Sequence, residues 1–93
     1  MGLLFSVTEL ETSGGACEYP RCDVEAAHLV RVDGRFWRMC LTHRWDTQGA
    51  VEADEALRGG PGASDAQRRA AARDPGVRRD RDAIFDLLGL EHD

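Results

Sequence analysis

Three cysteines and one histidine carry the most specific chemical signal in this sequence. Cys17 and Cys22 bracket Glu-Tyr-Pro-Arg, and Cys40 is followed by Leu-Thr-His43, a pattern of C-x4-C, seventeen residues, then C-x2-H. Two tight donor pairs, separated by enough chain for a hairpin, suit a tetrahedral metal shell. Thiolate and imidazole donors select Zn2+ over Mg2+ and Ca2+, which prefer oxygen. An iron–sulfur cluster normally asks for a fourth cysteine, and the chain has three. An odd number cannot all close into disulfides either. His28 is the rival for the fourth position. His43, one helical turn beyond Cys40, is the preferred ligand, and His28 otherwise reads as a half-exposed strand residue. His92 reads as solvated. Such ligands bind deprotonated, so the metal is expected to leave on acidification.

The segment between the two pairs must bring them together. Ala26 to Val32 and Arg35 to Met39 are β-prone runs flanking Asp33-Gly34, the dipeptide of a two-residue hairpin turn. Pairing Val32 with Arg35 sets Val30 opposite Trp37 and His28 opposite Met39 on one face. Leu29 then opposes Arg38, and Arg31 opposes Phe36, on the other. The first face is the more apolar and is the expected core side. After Cys40 the pattern turns helical, with Thr42 as the expected cap, Asp46 near the positive end, and Gly59-Gly60-Pro61 as the stop after Arg58.

A knuckle, a hairpin and a ligand pair at a helix start make a treble-clef arrangement. The stretches Cys-Glu-Tyr-Pro-Arg-Cys and Gly-Arg-Phe-Trp-Arg-Met-Cys-Leu-Thr-His-Arg-Trp resemble the single-zinc Cys3His treble-clef fingers of small phage and bacterial proteins, some of which accompany HNH nuclease domains. The resemblance covers residues 15–58. It implies Cys17, Cys22, Cys40 and His43 as zinc ligands, and Arg44 fits a basic position that often follows the histidine. The hairpin insert is longer here than is usual for such fingers.

The whole 93-residue, 10.3 kDa chain is read as one small α+β protein. Residues 1–14 are expected to supply a strand, with Leu3, Phe5 and Val7 alternating against Leu4, Ser6 and Thr8. Residues 15–58 form the zinc module, 59–63 a linker, and 64–93 a helical segment. Ser64-Asp65-Ala66-Gln67 is a capping box opening an Ala/Arg helix that ends near Asp74-Pro75-Gly76. A last amphipathic segment runs from Asp82 to Leu88, with Ile84, Leu87 and Leu88 as its stripe and Phe85 alongside. The stripe either folds back onto Leu3, Phe5 and Trp45 as core, the preferred reading, or stays open for a partner's groove.

Twelve basic and seventeen acidic residues give a net charge of −5, which argues against a general polyanion binder. Residues 17–45 are nevertheless slightly positive, at +1, with Arg31, Arg35, Arg38 and Arg44 near Phe36 and Trp37. Arginine with aromatic side chains marks either a protein-docking patch or a base-stacking surface. The binding surface is assigned to Arg31, Phe36, Arg38 and Arg44. A protein partner is the first expectation, and nucleic acid the alternative. Catalysis is not expected: four protein ligands close a zinc site to water, and the chain has no Asn for an HNH site. Neither G-x-S-x-G nor H-E-x-x-H nor a glycine-rich phosphate loop occurs. Other carboxylates read as solvation. No run reaches the ~20 apolar residues of a membrane span, and Glu9 and Glu11 cut short any signal-peptide core. Gly2 fits a myristoylation pattern, but without neighbouring basic residues the strand reading is preferred. All basic residues are Arg, with neither Lys nor Asn, as GC-rich codon usage produces. The expected setting is the cytoplasm of a bacterial or phage-infected cell.

Overall fold

The structure is a computed structural model and describes residues 4–11 and 15–91. Leu3, the Gly2 myristoylation position and His92 lie outside the described residues. The chain is a small α+β protein with a three-stranded antiparallel sheet and three helices among the described residues. Two compact units divide it, one over residues 4–47 and the other from Gln48 onward.

In the first unit, β1 (Phe5–Glu9), β2 (His28–Val32) and β3 (Arg35–Met39) lie in the order β1-β2-β3. The β2–β3 register is the one expected from the turn, pairing Val32 with Arg35, Arg31 with Phe36, Val30 with Trp37, Leu29 with Arg38 and His28 with Met39. Asp33 and Gly34 have φ of 49° and 86°, the positive values a tight primed turn requires. The register sends Val30, Val32, Trp37 and Met39 to the buried side, while Arg31, Phe36 and Arg38 on the other face stay exposed; Arg35, at the turn end of the buried row, is exposed as well. His28, at the end of the buried row, is half-buried. β1 pairs Phe5 with Val32 and Glu9 with His28, so it adds an edge as its alternation suggested.

Gly34 is where this register is set. No atom would crowd an added Cβ there, so a side chain meets only the unfavourable positive φ. Gly34→Ala is expected to lower stability by roughly 1–2 kcal/mol in urea denaturation, with an unchanged m-value.

Helix α1 (Leu41–Leu57) starts directly after Cys40, whose carbonyl accepts the Arg44 N–H at 2.9 Å. Thr42 therefore lies inside the first turn and is not the cap: the chain enters the helix straight from β3, and Cys40 occupies the boundary. Gly59, at φ 68°, ends α1 as anticipated.

The second unit contains the rest of α1, α2 (Asp65–Arg73) and α3 (Pro75–Leu88). The Ser64 box forms, with Gln67 N–H donating to Ser64 Oγ at 3.1 Å and Ser64 N–H to Gln67 Oε1 at 2.8 Å. Alanines Ala56, Ala63 and Ala71 make a small core flanked by Leu57 and Val77.

The last helix is longer than the expected Asp82 to Leu88 segment. Asp74 closes α2 and also caps α3, accepting the Gly76 N–H at 2.8 Å, with Pro75 in the first turn where its missing N–H costs nothing. The buried stripe is also rotated. Arg81, Phe85 and Leu88 are buried, whereas Leu87 is half exposed. Trp45, proposed as core for this stripe, is 54% exposed and is not core.

The rotation has a cause. Arg81 and Asp54, each 1% exposed, form a buried ion pair, and the Arg58 Nε donates to the same carboxylate at 2.9 Å. Arg81 Nε also meets Asp82 Oδ1 at 2.6 Å, and its guanidinium lies 5.7 Å from the Phe85 ring centroid. Burying Arg81 turns the helix so that Phe85 and Leu88, four and seven positions on, follow it inward. Reading Asp54 as solvation is thus corrected: it is the counter-charge inside this unit.

Candidate metal centre

Cys17 and Cys22 sit on either side of a tight turn. Cys22 N–H bonds the Tyr19 carbonyl at 3.1 Å, and Arg21 takes a positive φ of 65° to close the turn. The strands leading in and out pair briefly, with Cys17 N–H to Val24 O at 2.7 Å and Ala26 N–H to Gly15 O at 2.8 Å. This knuckle is tied to the sheet by Glu18, whose N–H donates to Arg38 O at 2.7 Å and whose carboxylate accepts the Arg38 N–H at 2.8 Å. Ala27 N–H reaches Met39 O at 2.9 Å. These bonds place the knuckle beside the end of β3, where Cys40 leads into α1.

The four candidate ligands meet there. Their donor atoms all lie within 4.8 Å of one another. Cys22 and Cys40 Sγ atoms are 3.9 Å apart, Cys17 Sγ is 3.6 Å from His43 Nδ1, and Cys40 Sγ is 3.3 Å from the same nitrogen. Zinc bonds of about 2.3 Å to sulfur and about 2.0 Å to nitrogen imply tetrahedron edges of about 3.8 Å for S···S and about 3.6 Å for S···N. The 3.9 Å S···S separation and the 3.6 and 3.3 Å S···N separations lie close to those edges. They do not fit disulfides, which need about 2.05 Å, and all three cysteines are free. Cys17 and Cys40 are buried, while Cys22 and His43 are partly buried.

The surroundings differ between the buried thiols. Burial pushes Cys17 above the ordinary thiol value, against the backbone N–H groups of Cys40 and Tyr19. Burial also opposes ionisation of Cys40, but the backbone N–H groups of His43 and Thr42 and the thiols of Cys17 and Cys22 outweigh it, leaving Cys40 below its ordinary value. Donors pointed at sulfur are what a thiolate ligand needs.

Tyr19 is a feature the motif reading missed. Its ring stacks on His43 with centroids 4.0 Å apart and planes 5° from parallel, so it fixes the imidazole plane. Burial, then the Asp46 and Cys17 charges, raises its phenol above the ordinary value. An aromatic residue between the knuckle cysteines was the available signal. His28 is not in the cluster: it lies on β2, and its Nδ1 is buried without a hydrogen-bond partner.

The structure brings Arg31, Phe36 and Arg38 to one face of the sheet, by register. Phe36 is 55% exposed, and the Arg31 guanidinium lies 5.3 Å from its ring centroid. Arg44 belongs to α1 instead. It is half-buried, with its guanidinium 3.7 Å from the Trp45 ring centroid. Arg35 stacks similarly on Trp37, at 5.1 Å.

The site is thus a Cys3His cluster able to hold a metal ion, compatible with zinc, in a small α+β protein. Compared with protein-family models, curated proteins and solved structures, the chain matches none. No helix among the described residues is long and apolar enough to cross a membrane.

Proposed function

We propose that this protein is a zinc-stabilised, treble-clef interaction module that docks on another protein, in the manner of a phage or bacterial accessory protein acting in the cytoplasm. Zinc bound by Cys17, Cys22, Cys40 and His43 joins knuckle, hairpin and helix. Four protein donors fill the tetrahedral shell, so the metal has no position for water and the module acts by binding rather than by catalysis.

The observation that carries the docking reading is Phe36. A large aromatic side chain stands 55% exposed on the sheet, beside Arg31 and Arg38. Aromatic and arginine side chains are the residues most enriched at the centre of protein interfaces. Nucleic-acid binding is the second reading, and the guanidinium–aromatic stacks at Arg31–Phe36 and Arg44–Trp45 favour it. The chain's net charge of −5 opposes it.

Arg31→Ala and Phe36→Ala are expected to change folding stability by no more than about 0.5 kcal/mol. The same variants should lose the partner captured by the parent protein from host lysate. Binding should hold between 50 and 200 mM salt, whereas phosphate-driven binding falls steeply over that range. Loss of binding across that range, together with direct, equally salt-sensitive binding of nucleic acid by the parent protein, would replace the protein partner by nucleic acid.

A further inference from the structure

The two edges of the sheet are not equivalent. In β1, bonds from Asp33 N–H to Leu4 O and from Leu10 N–H to Ala27 O fix the phase of the ladder to β2. Residues 4, 6, 8 and 10 therefore bond inward, and Phe5, Val7 and Glu9 aim their backbone N–H and C=O groups outward. No described residue bonds to those outward groups. In β3, Arg38 is one of two outward residues, and Glu18 takes both its N–H and its C=O. The knuckle takes the Arg38 position of β3 and leaves Phe36, whereas β1 presents three successive outward sites to which no described residue bonds.

Open edges pair with extended chains, and natural proteins commonly blunt them with prolines, bulges or repeated charges. β1 carries neither proline nor lysine, and its only charge is Glu9 at the end. At that end lies a cavity of about 350 Å3 whose lining includes Glu9, Glu11, Glu25 and His28. Its three carboxylates face no arginine among the lining residues.

We infer that β1 is a strand-addition site for an extended segment of a partner protein, with a basic side chain of that segment seated in the carboxylate-lined cavity. The main-chain groups of Phe5, Val7 and Glu9 supply the pairing, and Glu9, Glu11 and Glu25 supply the preference for positive charge. An antiparallel strand laid on β1 starts beside Glu9, so the basic residue belongs at the amino end of the added segment. This surface is separate from the Arg31–Phe36–Arg38 face and does not depend on it.

The test uses isotope-labelled, zinc-loaded protein and two blocked hexapeptides, Arg-Thr-Val-Thr-Val-Thr and its Glu-first counterpart. The Arg peptide should shift resonances of residues 5–11 and 25–28, with a dissociation constant of about 1 mM or tighter, and slow exchange of the Val7 and Glu9 amides. The Glu peptide should bind at least about tenfold more weakly. Val7→Pro removes one outward donor without touching the ladder to β2, and it should abolish binding while zinc content and hairpin resonances persist. Should that variant lose its fold, the Glu9→Gln, Glu11→Gln and Glu25→Gln variant keeps the backbone and should erase the Arg-over-Glu preference. Equal binding of both peptides by the parent protein, shifts away from β1, or undiminished binding by a folded Val7→Pro overturns the inference. Protection of the Val7 amide in a dimer without peptide overturns it in favour of a second copy of the chain.

Discussion

Cys40→Ser is expected to abolish the folded state of the first unit. Cys40 is 5% exposed, its sulfur faces Cys22 and His43, and its carbonyl starts α1. Structural zinc sites supply on the order of 10 kcal/mol of folding free energy, as much as a whole small domain has. Hairpin and first helical turns should therefore melt together in circular dichroism and amide dispersion. A chelator added to the parent protein should reproduce the same spectrum, because the metal rather than the cysteine volume is what is lost. His28→Ala, outside the cluster, should keep its zinc. A Cys40→Ser variant that melts like the parent would show that the sheet holds itself together.

Asp54→Ala should be the most damaging single change in the second unit. It removes the counter-charge from Arg81, whose side chain is 1% exposed and cannot reach solvent without moving α3. Removing one partner of a buried pair costs about 3–5 kcal/mol. Part of Arg58's anchoring is lost as well, although that side chain is 36% exposed and contributes less. In a chain of this size such a cost lowers the melting temperature by roughly 15 °C or more. Replacing both partners by apolar residues, Asp54→Leu with Arg81→Met, should be less harmful than Asp54→Ala alone. A double variant as unstable as the single would mean that the pair's geometry, rather than its charge balance, organises the helices.

Legibility in the sequence followed distance along the chain. The hairpin register was readable because Asp33-Gly34 is a local device, and one turn determines which face every neighbour takes. The four candidate ligands were readable because each pair is local and the donor types are rare. The Ser64 box lies within four residues and formed as expected. Asp54 and Arg81 are 27 positions apart, and nothing in either neighbourhood marks one as the other's partner. Asp54 reads with the other carboxylates as solvation, and Arg81 falls one residue before the expected Asp82 to Leu88 segment, so the stripe includes Leu87 and omits Arg81. Asp74-Pro75-Gly76 illustrates a different limit: it serves as both stop and start, and only the stop was read. Tyr19 was visible as a residue type, but stacking on His43 depends on how the knuckle meets the helix.

Elemental analysis of the purified protein tests most directly whether the Cys3His cluster holds a metal ion. Protein expressed with supplemented zinc and purified without chelator should contain one zinc per chain, and all three cysteines should become titratable only after the metal is removed. Protein that is folded, reduced and free of zinc would contradict the account, as would a disulfide joining any two of Cys17, Cys22 and Cys40.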